Sequence, residues 1–167
     1  MISASRRVPG GRYLMIAVTA LIFSAQGSKA QQIPGPYGPA ITLEQARIIV
    51  DAAHREAEKR RFTMAFAVAT PSGEPILLEV MDGTQTGSIP LASAKAKTAA
   101  RYRRPTKAFS EDIAGKAALT YSSVNDIVTL EGGLPILSNG RVIGALGVSG
   151  GTSAQDGEIA TIALAQD

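Results

Sequence analysis

Six positive charges fall within thirteen residues, at Lys95, Lys97, Arg101, Arg103, Arg104 and Lys107, with no acidic residue among them. On a helix, Lys97, Arg101 and Arg104 stand four and three apart and share a face. Such a face suits the carboxylates of a small anionic or propionate-bearing ligand as well as it suits water. The chain has one histidine, His54, and no cysteine. Imidazole is the usual protein ligand to a heme iron, so His54 is a candidate axial ligand. Its position, about 80° from the centre of its helix's apolar stripe, equally fits a histidine at the boundary of a core. One histidine without cysteine is too little for a zinc site, and thiolate chemistry and disulfides are excluded.

A second pattern is weighed against hydrolase chemistry. Gly147-Val148-Ser149-Gly150-Gly151 has the spacing of a nucleophile elbow. A serine there needs an acid and then a histidine later in the chain, and no histidine follows Ser149. The glycines are read instead as easing a strand into a helix start, whose free N–H groups form a generic anion site.

The elements that must position these residues follow from pattern. Thr42 and Gln45 form a capping box before a helix over 43–61, in which Ala46, Ile49, Val50, Ala53 and Ala57 make one apolar stripe. Ile48 falls opposite that stripe, as an isolated exposed residue or a subunit contact. Residues 63–69 and 75–81 read as strands joined by a turn at 71–74. A slim, alanine-rich helix spans 88–103, with Ser88 as its cap, Pro90 in its first turn and Pro105 beyond its end. A shorter helix is expected over 109–119. Strands at 134–137 and 141–148 flank Asn139-Gly140, the strongest hairpin signal in the chain. Gly144 and Gly147 there imply a bulge or close backbone approach. A last helix, capped near Ser153, carries Ile159, Ile162 and Ala163. Two tight hairpins predict an α+β fold, an antiparallel sheet with helices packed on it.

The N-terminal thirty residues read as a cleavable export signal. Arg6, Arg7 and Arg12 precede an apolar run at 13–25, and Ser28 and Ala30 supply small residues at a cleavage site after Ala30. The run is about 13 residues, short of the roughly 20 that a spanning helix needs. Residues 31–41, with three prolines and two glycines up to Ala40, read as an extended lead-in to a single domain over 42–167. Cleavage leaves 13 basic against 14 acidic residues, a net charge of −1. The basic pI of the whole chain is therefore no argument for a nucleic-acid partner. The expected compartment is the periplasm or the exterior, with no membrane span after cleavage.

Several motifs carry a family resemblance. Met81-Asp82-Gly83 after a strand, Lys95-Ala96-Lys97-Thr98-Ala99-Ala100 ending a helix, and Pro105-Thr106 stand in order. Gly132-Gly133-Leu134-Pro135-Ile136, Asn139-Gly140, the run 142–151 and Gln155-Asp156 continue it. Over 42–164 the chain resembles the GlcG/HbpS family of heme-binding proteins, which is related to the C-terminal domain of PduO-type corrinoid adenosyltransferases. It departs from the family at Ala69-Thr70, where an aspartate commonly closes the first strand. The resemblance implies a profilin-like layout, a tendency to form homo-oligomers, and heme as ligand. It places the ligand region in the 95–106 segment, which includes Tyr102, with Thr98 and Thr106 as oxygen-bearing positions.

The resulting expectation is an exported heme-binding protein with a role in heme handling or redox sensing. Lys95 and Arg101 would pair the propionates, and His54 or a threonine would approach iron. Two other readings stand beside it: a binding protein or enzyme for a small organic anion, and a non-catalytic sensor or assembly partner.

Overall fold

The computed structural model describes residues 35–117 and 124–165; the expected export signal at 1–30 lies outside the described residues. The elements run α1 (Leu43–Lys59), β1 (Ala65–Ala69), β2 (Pro75–Val80), α2 (Ser88–Tyr102), α3 (Thr106–Asp112), a π-helical turn (Ile113–Ala117), β3 (Gly133–Ser138), β4 (Arg141–Ser149) and α4 (Ser153–Leu164). The four strands form one antiparallel sheet in the order β2-β1-β4-β3, which establishes the α+β class.

The sequence of β1, Ala65-Phe66-Ala67-Val68-Ala69, explains the layering. Successive side chains point to opposite faces of a strand. Phe66 and Val68 therefore join Leu146, Val148, the stripe of α1, and Ile159 and Ala163 of α4 in the main core. Ala65, Ala67 and Ala69 face the other way, onto Ala92 and Ala96 of α2. Large residues lie under two helices, and small residues let a third come close. Gly147 takes this furthest: a Cβ there would collide with the Ala92 carbonyl and lie 2.6 Å from the Ala96 nitrogen. The glycines of β4 thus serve close approach, and a bulge stands beside them. Ile136 and Leu137 of β3 pair with Gly144 and Val142, leaving Ile143 of β4 as the extra residue, just as Ile76 of β2 is the extra residue opposite Val68 and Ala69.

Local signals held at α1, where Thr42 and Gln45 form the full capping box. At α2 the cap differs from expectation. Ser88 is buried inside the first turn and accepts from Gln85 Nε2 at 2.9 Å, so Gly87 is the N-cap, without a side-chain bond. At α4 the cap is Thr152, whose hydroxyl accepts from the Gln155 N–H, one residue earlier than expected. The expected helix over 109–119 starts earlier, at Thr106, and loosens into the π-helical turn after Asp112; positions 118–119 lie outside the described residues.

The lead-in is built into the sheet. β1 stops opposite Ala145, leaving residues 141–143 of β4 without a neighbour on that side. Tyr37 fills the gap in a parallel bridge to Val142, and Gly38 N–H and Ile41 N–H donate to the carbonyls of Val142 and Ile143. Among the described residues, no helix is long and apolar enough to cross a membrane.

Candidate functional site

The six-cation run does not form one open face. Lys95 is fully buried, and its Nζ donates to Asp156 Oδ2 at 2.6 Å and to the Val148 carbonyl at 2.9 Å. Arg101 donates to Asp126 at 2.7 Å. Arg103 lies over the Tyr37 ring, 4.9 Å from its centroid, and donates to the Gly35 carbonyl. Arg104 pairs with Asp112 and covers Phe109, and Lys107 pairs with Glu131. Of the six, only Lys97 has no ion-pair or hydrogen-bond partner among the described residues.

The expected site residues divide into three places. Thr98, Arg101 and Tyr102 converge on one loop: the Thr98 hydroxyl accepts from Val128 N–H at 3.0 Å and donates to the Asp126 carbonyl, while Arg101 and Tyr102 donate to the Asp126 carboxylate. Thr106 is buried and its hydroxyl accepts from Gly133 N–H at 2.9 Å. The hydroxyls of Thr98 and Thr106 thus hold residues 126–133 against α2 and α3. Lys95 belongs to the interior rather than to a solvent rim, because its ammonium serves the sheet end and α4.

His54 is on the other side of the sheet from all of these. Its ring stacks on Phe66 at 6.0 Å, and its Nδ1 lies 2.5 Å from Glu79, with Glu58 at 3.5 Å from Nε2. The hydrogen bond to Glu79 raises the His54 pKa above the usual imidazole value, against a partial loss of water. Within one subunit, His54 cannot share a ligand with Arg101 or Thr98. Among the described residues no group of three His, Asp or Glu side chains is placed to hold a metal ion.

The helix start after β4, read as an anion site, holds the protein's own anion. Gly151 N–H donates to Asp156 Oδ1 at 2.9 Å. Burial pushes the Asp156 carboxyl pKa up and that of the Lys95 ammonium down, and each draws the other partway back. Gly132, at φ +123°, would place a Cβ 2.9 Å from Lys95 Nζ, so a glycine there leaves room for the ammonium.

What remains open lies on the alanine side of the sheet. A cleft of about 210 Å³ runs between α2 and the β1–β2 hairpin, with Ala67, Ala69 and Ala96 on its floor and Glu74, Ser93 and Lys97 as its polar groups. Beside it, a wider hollow of about 430 Å³ is lined by Tyr37, Pro71, Ser72 and Arg101. One feature joins the two: Gly73, at φ +90°, lies so close to the stems of Lys97 and Arg101 that a Cβ would come within 3.0 Å of both. Sequence reasoning put Lys97 on the cationic face but did not separate it from its neighbours. It missed the cleft floor, although the alternation of alanines at 65, 67 and 69 was its signal, and it took Tyr37 for part of a featureless lead-in.

A small α+β domain with an apolar, cation-edged cleft beneath an alanine-rich helix is the class these observations define. A family model described as haem-degrading protein HbpS-like matches residues 41–165, and the chain belongs to that family. Protein GlcG of Escherichia coli K12 is 34% identical over 109 residues, covering 65% of this chain and 81% of that protein. Two solved structures superpose with a TM-score of 0.71. One is a PduOC–heme complex, 28% identical, covering 77% of this chain and 95% of that one. The other is a double mutant of HbpS from Streptomyces reticuli, 25% identical, covering 95% and 98%.

Proposed function

We propose that the protein binds heme or a closely related tetrapyrrole on the alanine side of its sheet, with the ring edge in the cleft and its carboxylates toward Lys97 and Arg101. The observation that carries this is Lys97: a cation without a partner among the described residues, set at the mouth of an apolar slot. The residues fit the periphery of such a guest. Ala67, Ala69 and Ala96 offer a methyl-lined surface to a flat apolar ring, and an Arg–carboxylate contact adds direction to the charge of Lys97.

The family description as haem-degrading and the heme complex of PduOC support this choice of ligand. A bound heme supplies an iron centre; this chain's part is to hold the ring edge, pair its carboxylates and keep water from one face. The cleft alone is smaller than the roughly 300–1,000 Å³ of typical ligand sites, so the guest would extend over the hollow. Leu78 and Val80, both exposed on the same side of the sheet edge, support a second copy of the chain as cover for the rest. The basic, apolar and small-residue order of positions 1–30 supports work in the periplasm or outside the cell.

The size of the cleft also favours a second reading, a small organic anion held by Lys97 and Arg101 without iron. Hemin titration separates the two. A saturable Soret shift at fixed stoichiometry, weakened by Lys97→Glu, is the expected result. No saturable shift, with thermal stabilisation by small hydroxy or keto acids instead, would transfer the site to the second reading.

A further inference from the structure

Heme iron is held in proteins by His, Cys, Met or Tyr side chains. Among the described residues no His, Cys or Met lines the cleft or the hollow, whereas Tyr37 lines the hollow. We propose that Tyr37 is the residue through which this chain meets iron when a tetrapyrrole is bound, an assignment that rests on the reading above.

Tyr37 is held on every side although 42% of it is exposed. Its backbone bridges Val142, its carbonyl accepts from Arg141, its ring lies under the Arg103 guanidinium, and its hydroxyl donates to the Arg101 carbonyl at 2.6 Å. Arg103 reaches it from a left-handed backbone, φ 53°, at the C-cap of α2. That conformation is uncommon for a residue with a Cβ, and here it delivers the guanidinium to Tyr37 and Gly35. An exposed ring held by Arg103 and by the Arg101 carbonyl, on a backbone held by Arg141, has a defined position before any ligand arrives, which a donor to a metal requires.

The Tyr37 oxygen is on the correct side of the sheet. It bonds to the backbone of Arg101, one turn of α2 beyond Lys97, so donor and carboxylate-pairing cations belong to successive turns of the same helix. With a ferric tetrapyrrole bound, the Tyr37 hydroxyl would leave the Arg101 carbonyl and give its proton to solvent, and its oxygen would serve as a phenolate donor. No electron changes hands. His54, behind the sheet, is not an alternative within the same subunit.

The test titrates the protein, Tyr37→Phe and Tyr37→His with hemin, read by absorbance and by resonance Raman. The unaltered protein is expected to show a saturable Soret change together with a phenolate-to-iron charge-transfer band and tyrosinate Raman modes. Tyr37→Phe is expected to lose that band and those modes, and Tyr37→His to replace them with an imidazole signature. Saturable binding by the unaltered protein without tyrosinate modes, or with a spectrum that both variants share, overturns the assignment and leaves the heme reading standing. No saturable binding by the unaltered protein ends both. The Raman reading needs no variant, so a substitution that fails to fold does not shield the proposal.

Discussion

Lys95 of α2 and Asp156 of α4 meet at 2.6 Å in the interior, with side chains 1% and 3% exposed, and join helices on opposite faces of the sheet. The pair lies where β4 ends, so both layers are fastened at one point. The Val148 carbonyl and the Gly151 N–H take up further bonding capacity of the two groups. A buried pair of this kind adds little net stability over an apolar pair, but removing one partner strands a charge.

Asp156→Ala is therefore expected to cost about 3–5 kcal/mol. Lys95→Met alone should cost a comparable amount, and the two combined should cost much less than their sum. Urea denaturation of the four proteins measures this. Additive losses would mean that the two side chains act separately.

His54 and Glu79 give a pH dependence with a definite sign. The folded-state pKa of His54 is raised, chiefly by its hydrogen bond to Glu79. Its contribution is fully present below the unfolded value of about 6.5 and is lost as pH rises through the higher folded value. A half-exposed pair is worth at most about 1 kcal/mol. The stability difference between the protein and His54→Gln should shrink as pH rises above the unfolded value of about 6.5, followed by thermal melting at a series of pH values.

Gly147→Ala should cost about 1–3 kcal/mol, because the added methyl meets the Ala92 carbonyl and must lift α2 off the sheet. Gly140→Ala tests a different cause. No atom lies within 4 Å of its added Cβ, but φ +72° disfavours a side chain, so its loss should be about 1 kcal/mol. Chemical denaturation of the two variants separates crowding from backbone strain.

Lys97→Ala should leave stability within about 0.5 kcal/mol, since no partner among the described residues is lost. Hemin affinity should fall by about tenfold, the loss of one charge-assisted contact of roughly 1.5 kcal/mol. Arg101→Ala should lower both, because its guanidinium also holds Asp126. A Lys97→Ala protein with unchanged hemin affinity would remove Lys97 from the site.

The elements were largely legible in the sequence because their signals are local. Thr42 with Gln45, Asn139-Gly140 and the alternation in β1 each act over a few residues, and each appears in the fold. The layout of the site was less legible because charge pairing is not local. Nothing near Lys95 in sequence shows that Asp156, 61 residues on, will draw it inside. Periodicity likewise placed His54 at the edge of its helix's stripe, but only the packing of α1 shows which side of the sheet that edge overlooks. Thr98 and Thr106 were marked by family pattern alone, and their bonds to 126–133 supply a physical reason for hydroxyls at those positions.

Ala67 is both the contact that lets α2 settle on the sheet and part of the surface a guest would touch. The closeness of the helix and the room left for cargo are thus governed by one methyl group. Enlarging that side chain would lift the helix and silt up the berth together, whereas Phe66, its neighbour in sequence, can be trimmed only at the expense of the far core. Any drift in ligand size within this lineage would have to be accommodated around the rim, at the hairpin tip and the tethered strap, because the floor has no slack.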